Sequence, residues 1–457
     1  MKRHTEAGFT LVEVVFGVVI MAFMVAAIGS LYISNIQSVA LGKSRALGLA
    51  LANEKIEHLR DLPYDSLATQ FGTIYPPGNI LDDETVTRNN FKMRVHTEIS
   101  YVDDPYDGYI SCPCATGPAA GKPKDLYPYD YKKAQVSIFL VSNGKKIASI
   151  TSDVAGKAAE TSSNTGILSI KVLNASGQPI PNATVHIVNT NPTPDVDITT
   201  TTDNNGLVVV PKLPPDSANR YQVTASLAGY STEQTIPDPA GAQTAVKLNP
   251  NVLAQQITSV TFAIDQLSTM YLHVVDTTGA PLNNVAITTV SGKKIKTTPD
   301  VFKYSQASTT NATGDITLTG MEWGGYSFTP QSGYYLVSAS PYSPVTLDPN
   351  GSLTVNLVLS TSSSYPRISA AIPLTAQTGT SAVSLKVTGT NLSSGTSLKL
   401  VKSGQSDIAG TSCVSGGGNT TYTCNVNLTG AATGTWDITV TNSGNTATQP
   451  GGFTVAP

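Results

Sequence analysis

The chain is 457 residues long, more than a single domain usually holds, and this length predicts three or four domains. Only 13% of the residues are charged, fewer than in a typical cytoplasmic enzyme, and the net charge of −3 gives no electrostatic support for nucleic-acid binding. All four cysteines follow the N-terminal apolar segment, as expected of an exported chain in which thiols become oxidised.

A long apolar segment follows a short polar leader, MKRHTEAG, at the N-terminus. No charged residue occurs from Val14 to Ile33, and a helix of this length crosses about 30 Å of hydrocarbon. The one charge in the segment is Glu13, which is costly in a membrane and has no Lys or Arg partner within the segment. Cleavage after Gly8 would create an ammonium group on Phe9, which a neighbouring subunit could offer to Glu13.

This arrangement resembles the N-terminus of the type IV pilin family, which includes the pseudopilins of type II secretion. Gly8 matches the last leader residue, Phe9 the new amino terminus, and Glu13 the fifth residue of the mature chain. The resemblance implies cleavage after Gly8 by a prepilin peptidase and N-methylation of Phe9. It also implies that Glu13 pairs with other pilin subunits during assembly on an inner-membrane platform. The alternative is a signal-anchor helix that tolerates Glu13 at the membrane interface.

The helix is predicted to continue beyond the membrane. It runs from Phe9 to Asp61, and Pro63 ends it. Apolar residues spaced by three or four positions mark one helix face, at Leu49, Ala52, Ile56 and Leu59. The segment LANEKIEHLRDLPYDSL resembles minor pilins of the PilV and GspI type, which implies a minor subunit. Residues 1–8 are assigned to the leader and 9–62 to the transmembrane and amphipathic helix.

Residues 63–157 are predicted to form a small β-rich pilin head. Alternating apolar residues indicate strands at Phe91–Val102, Ala134–Val141 and Lys146–Thr151. The Asn143-Gly144 pair is a strong turn signal, so the last two strands are predicted to form a hairpin.

A polar insertion separates the first two of these strands. It contains four aspartates whose oxygens could bind Ca²⁺, namely Asp103, Asp104, Asp107 and Asp130. Their spacing fits no EF-hand loop, and a solvent-exposed turn rich in Asp and Gly is the favoured explanation. The same insertion contains Cys112 and Cys114, for which three alternatives stay open: a disulfide in the head, two reduced thiols, or a metal or redox site. No other cofactor is predicted.

An internal repeat follows the head. Residues 169–187 parallel 271–289, with residues of the same type at matching offsets: Gly177 and Gly279, Pro179 and Pro281, Asn182 and Asn284. The pattern resembles the carboxypeptidase-regulatory-like family, also called prealbumin-like or CnaB-like. The resemblance implies two β-sandwiches, at 165–250 and 258–360, and no peptidase activity.

The last module, residues 365–457, resembles the IPT/TIG immunoglobulin-like family. The matching points are Pro373, Gly389-Thr-Asn391, Gly434-Thr-Trp436 and Gly452-Phe-Thr-Val455. Cys413 and Cys424 bracket a glycine-rich turn, VSGGGNTTYT, and we expect them to form a disulfide across a hairpin.

No catalytic motif occurs in the sequence, which has no HExxH, Gly-x-Ser-x-Gly or phosphate-binding loop and only scattered histidines. We therefore expect a non-enzymatic α+β protein, with a long N-terminal transmembrane or fibre helix, a small head and three β-sandwich modules. The predicted function is that of a minor type IV pilin whose modules recognise a host, surface or glycan ligand at a pilus tip. Its precursor would span the cytoplasmic membrane once and its mature form would lie outside the cell. The alternatives are a pseudopilin of a type II secretion or DNA-uptake machine, and a passive spacer subunit.

Overall fold

The fold is described from a computed structural model of the chain. The structure describes residues 11–106, 108–109, 115–125, 129–155, 164–238, 244–341 and 343–457. Within these ranges one long helix comes first, and a β-rich head and three β-sandwiches follow it. The predicted order of a helix followed by β-rich modules is confirmed.

The helix α1 comprises Leu11–Asp61 and, at 1.5 Å per residue, is about 76 Å long. It ends where predicted, because Pro63 cannot continue a helix, and a 3₁₀ turn at Tyr64–Ser66 follows. The predicted start at Phe9 lies outside the described residues.

A four-stranded antiparallel sheet packs against the C-terminal half of α1. Its strands are β1 (Asp83–Arg88), β2 (Phe91–Val102), β3 (Tyr131–Leu140) and β4 (Lys146–Ala155), in the order β1-β2-β3-β4. The bounds of β2 and the hairpin between β3 and β4 agree with the prediction. Strand β1 is missing from the prediction, because Val86 is its one aliphatic residue. Leu51 and Ile56 of α1 share a buried core with every second residue of β2 and β3, since alternate strand residues face the helix.

In the described residues the first sandwich region contains eight strands, and one of them, β11, pairs with a strand of the next module. They are β5 (Gly166–Leu173), β6 (Thr184–Asn189), β7 (Val196–Thr201), β8 (Leu207–Leu213), β9 (Gln222–Ser226), β10 (Glu233–Gln234), β11 (Thr244–Ala245) and β12 (Ile257–Ala263). Sheets β12-β5-β8 and β10-β9-β6-β7 enclose one core. Strand β12 pairs in parallel with β5, and Phe262 and Ile264 lie in this core. The predicted start of the second sandwich at residue 258 is therefore wrong, because these side chains complete the first.

The second sandwich repeats the layout of the first. Its strands are β13 (Ser268–Asp276), β14 (Ala286–Ser291), β15 (Lys294–Thr297), β16 (Val301–Phe302), β17 (Ser305–Thr309), β18 (Asp315–Met321), β19 (Gly324–Pro330), β20 (Tyr335–Ser340), β21 (Val345–Leu347) and β22 (Ser352–Ser360). Sheets β18-β13-β22-β20 and β17-β14-β19-β21 enclose its core.

The repeat extends to the backbone conformation of its turns. Asn182 and Asn284 have φ angles of 58° and 59°, and Gly177 and Gly279 have φ angles of 78° and 88°. Glycine and asparagine adopt this left-handed conformation most readily, which explains why both copies carry them at the same offsets.

The third sandwich has two sheets, with the orders β23-β25-β29-β28 and β24-β31-β30-β26-β27. The strands are β23 (Arg367–Ile372), β24 (Thr375–Gln377), β25 (Val383–Thr390), β26 (Ser397–Val401), β27 (Ile408–Ala409), β28 (Thr411–Gly416), β29 (Thr421–Val426), β30 (Gly434–Asn442) and β31 (Asn445–Ala456). Trp436 is buried in the core and its indole N–H donates to the Ala432 carbonyl at 2.9 Å.

Strand pairing and ion pairs join the first sandwich to the second. Strand β11 pairs antiparallel with β15, so the chain of one module extends a small sheet of the next. Lys303 of the second sandwich contacts Glu233 of the first at 3.3 Å and Glu322 of its own module at 2.8 Å. These contacts hold the two sandwiches in one relative orientation.

The second and third sandwiches also share buried contacts. The side-chain amide of Gln449 donates to the Ala339 carbonyl at 3.0 Å, and Val337 of β20 belongs to the third core. The side chain of Asn391, in the third sandwich, donates to the carbonyls of Ser363 and Tyr365 in the linker between the two modules. Asn391 thereby fixes the path of the linker.

Candidate assembly site at the N-terminal helix

The N-terminal half of α1 exposes large apolar side chains. Leu11, Phe16 and Phe23 are 83%, 65% and 74% exposed. Burying apolar surface gains about 25 cal/mol per Å², so a stretch of this kind is stable in lipid or against other apolar surfaces rather than in water. Of the helices in the described ranges, α1 is the one whose length and composition suit a membrane span.

The C-terminal half of α1 is amphipathic and belongs to the head. Leu51, Ala52, Ile56 and Leu59 are buried against the sheet, as the helical spacing predicts for three of them. Leu49 is 50% exposed, so its predicted place on the buried face is wrong. The reason is that residues three positions apart can lie on either of two neighbouring faces of a helix. The sheet covers the face that contains Leu51.

An open groove of about 820 Å³ lies between α1 and the turn that joins β1 to β2. Tyr32, Ile36 and Val39 of the helix line it together with Phe91 of the sheet, and Lys43 lies at the same groove. The head therefore leaves an apolar strip of the helix uncovered, which begins at the end of the stretch that suits a membrane and continues beyond it.

The leader and the first residues of the predicted mature chain are only partly described. Gly8 and Phe9 lie outside the described residues. Glu13 belongs to α1 by its backbone, but its side chain lies outside the described part. Their roles in cleavage, methylation and assembly therefore stay predictions.

A buried lysine ties the end of the helix to the sheet. Lys132 Nζ donates to the carbonyl oxygens of Tyr64 and Leu67, each at 2.8 Å. Burial is the main cause that lowers the pKa of Lys132 to about 8, and the nearby Lys212 cation lowers it further. Sequence reasoning missed this residue. The sequence does contain a signal for it: Lys132 stands two residues before the buried Ala134 in β3, so both side chains lie on the inward face of the strand.

A second lysine joins the head to the first sandwich. Lys212, at the end of β8, has a left-handed φ of 59° and places Nζ 5.2 Å from the Tyr101 ring centroid and 5.1 Å from that of Tyr129. Beside it, Tyr129 packs with Ile167 of the first sandwich. Cations over aromatic faces contribute about 0.5–2 kcal/mol each, so this interface resists separation of head and sandwich.

In the described part of the insertion, two of the predicted calcium ligands accept hydrogen bonds from backbone N–H groups. Asp130 accepts a hydrogen bond from the Asp104 N–H, and Asp104 accepts one from the Tyr106 N–H at 2.9 Å. Asp103 is described nearby, whereas Asp107 lies outside the described residues. Among the residues that the structure describes, no group of three or more His, Cys, Asp or Glu could hold a metal ion. The hydrogen bonds are those of a turn stabilised by aspartate side chains.

The structure pairs Cys413 with Cys424 in a disulfide. Cys413 lies in β28 and Cys424 in β29, which are neighbouring antiparallel strands of the third sandwich. Cys112 and Cys114 lie outside the described residues, so the three alternatives for them stay open.

Comparison with known protein families identifies the first sandwich. Residues 167–253 match the carboxypeptidase regulatory-like domain, which confirms the predicted family for this module. No curated protein matches the chain.

Comparison with solved structures finds proteins of low similarity, among them a pilin and an adhesin. The Bacillus anthracis TIE protein is 12% identical with a TM-score of 0.19, and the match covers 71% of this chain and 58% of that one, less than two thirds of its length. A streptococcal ancillary pilin is 14% identical with a TM-score of 0.22, covering 49% and 75%. A Ca²⁺-stabilised adhesin with which an Antarctic bacterium binds ice is 13% identical with a TM-score of 0.14, covering 72% and 81%. At such identities and TM-scores, none of these similarities carries a conclusion about the function of this chain.

Proposed function

We propose that this chain is a minor type IV pilin, cleaved after Gly8 and held in a membrane by α1 until it joins a fibre. The observation that carries the proposal is the division of α1 into an exposed apolar half and a half packed on an antiparallel sheet. One helix can then anchor the precursor in lipid and later pack against the helices of other subunits while the head keeps its fold. The GFTLVE motif supports the same assignment.

The uncovered groove beside α1 supports assembly through this helix. Its apolar strip at Tyr32, Ile36 and Val39 offers a neighbouring subunit a surface that is continuous with the membrane-suited stretch. Burial of this strip between subunits removes apolar area from water, which favours association.

The three sandwiches beyond the head support a role in recognition outside the cell. Such a large addition has room at a fibre tip but crowds a position inside a fibre, which favours a tip pilin over a pseudopilin. The role proposed for the chain is non-enzymatic: it binds a surface through its β-modules, with other pilin subunits as its assembly partners.

The leader assignment is tested by expressing the full chain with a prepilin peptidase and measuring the mass of the purified product. We expect a chain that begins at N-methylated Phe9, and a Gly8→Ala variant that keeps Met1 and stays in the membrane. Ala7→Ser is the matched control, because it changes the neighbouring leader residue and should be processed normally. Cleavage of the Gly8→Ala variant at Phe9, or a wild-type product without the apolar segment, would contradict the proposal.

The position in the fibre is tested by immunogold labelling of intact filaments with an antibody to residues 365–457. Gold particles at filament ends are expected for a tip subunit. Labelling along the shaft, or only in the cell envelope, would count against the tip position.

A further inference from the structure

A cleft of about 470 Å³ separates the head from the first sandwich. Residues 70–77 of the head form one wall, and the outer faces of β6 and β7 form the other. Tyr75 joins the two walls, because its hydroxyl donates to the Pro194 carbonyl at 2.8 Å and its ring packs against the first core. The cleft is therefore part of the folded chain and needs no ligand to form. Clefts between domains are common places for small-molecule sites.

An aromatic ring stands open to solvent at this cleft. Phe71 is 79% exposed, although its large apolar side chain would gain from burial. Its backbone N–H donates to Asp82 Oδ2 at 2.9 Å, which fixes the position of the residue within the loop. The cleft thus presents a flat apolar face that a ligand can cover.

Polar side chains of both modules surround the same cleft. His186 of β6 lies 2.7 Å from Asp197 Oδ1 on the neighbouring β7, and Asp195 and Thr199 lie along the same strand region. Gln70 of the head faces them across the cleft. The set contains donors, from the Gln70 amide and the Thr199 hydroxyl, as well as acceptors, from the carboxylates, the amide carbonyl and the second nitrogen of the His186 ring.

This combination discriminates between ligand classes. A sugar ring has one face of C–H groups, which stacks on an aromatic ring, and an edge of hydroxyls that both donate and accept hydrogen bonds. An organic cation needs acceptors only and would leave the donors of the cleft, the Gln70 amide and the Thr199 hydroxyl, without a partner in the ligand. An apolar peptide side chain would leave the polar groups of the cleft without partners, which is costly.

We propose that this cleft is a saccharide-binding site, with Phe71 as the stacking surface and Asp197, His186 and Gln70 as hydroxyl partners. The inference rests on the proposed recognition role and gives that role a ligand class. Binding is measurable on the unassembled full chain, so its failure is distinguishable from a failure of leader processing or fibre assembly.

The test uses the full chain in phosphatidylcholine nanodiscs, because detergents with sugar head groups would compete. Saturation-transfer NMR is recorded with glucose, galactose, mannose, N-acetylglucosamine, lactose and cellobiose as probes. We expect at least one probe to bind, and Phe71→Ala and Asp197→Asn each to weaken that binding by about 10-fold or more. Tyr106→Ala is the matched control, since Tyr106 is 82% exposed in the head but does not line this cleft.

Three results would overturn the proposal. The first is that none of the six probes binds. The second is that a probe binds with equal affinity to the wild type and to Phe71→Ala. The third is that Asp197→Asn leaves sugar binding unchanged but abolishes the binding of spermidine, because this carboxylate would then serve a cation. Both variants change exposed side chains, so an unchanged melting temperature shows that any loss of binding is not a loss of folding.

Discussion

The packing of α1 on the head is most directly tested by the substitution Leu51→Ala. Leu51 is fully buried in a core that it shares with Met93, Val136 and Ile138 of the sheet. Truncation to alanine leaves a cavity, because a helix and a sheet cannot close around a missing side chain without moving as a whole. Substitutions of this kind cost about 2–5 kcal/mol, and we expect about 3 kcal/mol for the head because the site is fully enclosed.

Hydrogen exchange measured by mass spectrometry on the full chain is the suitable assay. Tryptophan fluorescence would not report on the head, because Trp323 and Trp436 lie in the second and third sandwiches. A loss of 3 kcal/mol raises the exchange rate of the β3 amides by about 150-fold when exchange follows the opening equilibrium. Leu49→Ala is the control, since Leu49 lies on the same helix but is 50% exposed, and it should change stability by less than about 0.5 kcal/mol. Equal exchange in the two variants would refute the described packing of helix and sheet.

Three further predictions concern assembly, the disulfide and a buried charge. Glu13→Ala should be cleaved normally but enter filaments poorly, because the amino terminus of the next subunit loses its counter-charge; normal amounts in purified filaments would remove the pairing argument. Reduction of Cys413–Cys424, which are 11 residues apart, should cost the third sandwich about 3 kcal/mol in urea unfolding followed by Trp436 fluorescence, and a Cys413→Ser variant should not respond to reductant. The pKa of Lys132 is lowered in the fold, so the unfolded chain binds more protons between about pH 8 and 10.5. Stability of the head should therefore rise with pH across this window, and Lys132→Met should remove this part of the slope in hydrogen exchange.

Features with local chemical causes could be predicted from the sequence. Pro63 marks the end of α1 because proline lacks the N–H that a helix needs, and apolar alternation marks β2 to the residue. The repeated Gly and Asn of the two sandwiches correspond to left-handed turns in both copies. In each case the residue type and its neighbours are enough to set the backbone.

Features that depend on distant partners could not be predicted in this way. The alternation in β12 is the same whichever sandwich it joins, and its parallel pairing with β5 brings together residues about 90 positions apart, such as Ile257 and Ile167. The proposed saccharide cleft likewise combines Phe71 with His186 through the docking of two modules. No local pattern encodes such neighbours, because the contact depends on how the modules pack.

In the first two sandwiches the first strand pairs in parallel with the last. This pairing has a mechanical consequence for a protein that is anchored at one chain end and pulled at the other. In the first sandwich β5 lies beside β12, and in the second β13 lies beside β22, each pair in parallel over its length. Tension between the chain ends then slides each pair lengthwise, so that all the hydrogen bonds of a pair stretch at once instead of opening one by one. We therefore expect these two sandwiches to withstand a much higher pulling force, such as the drag of flowing liquid, than a hairpin whose hydrogen bonds open one by one from its end.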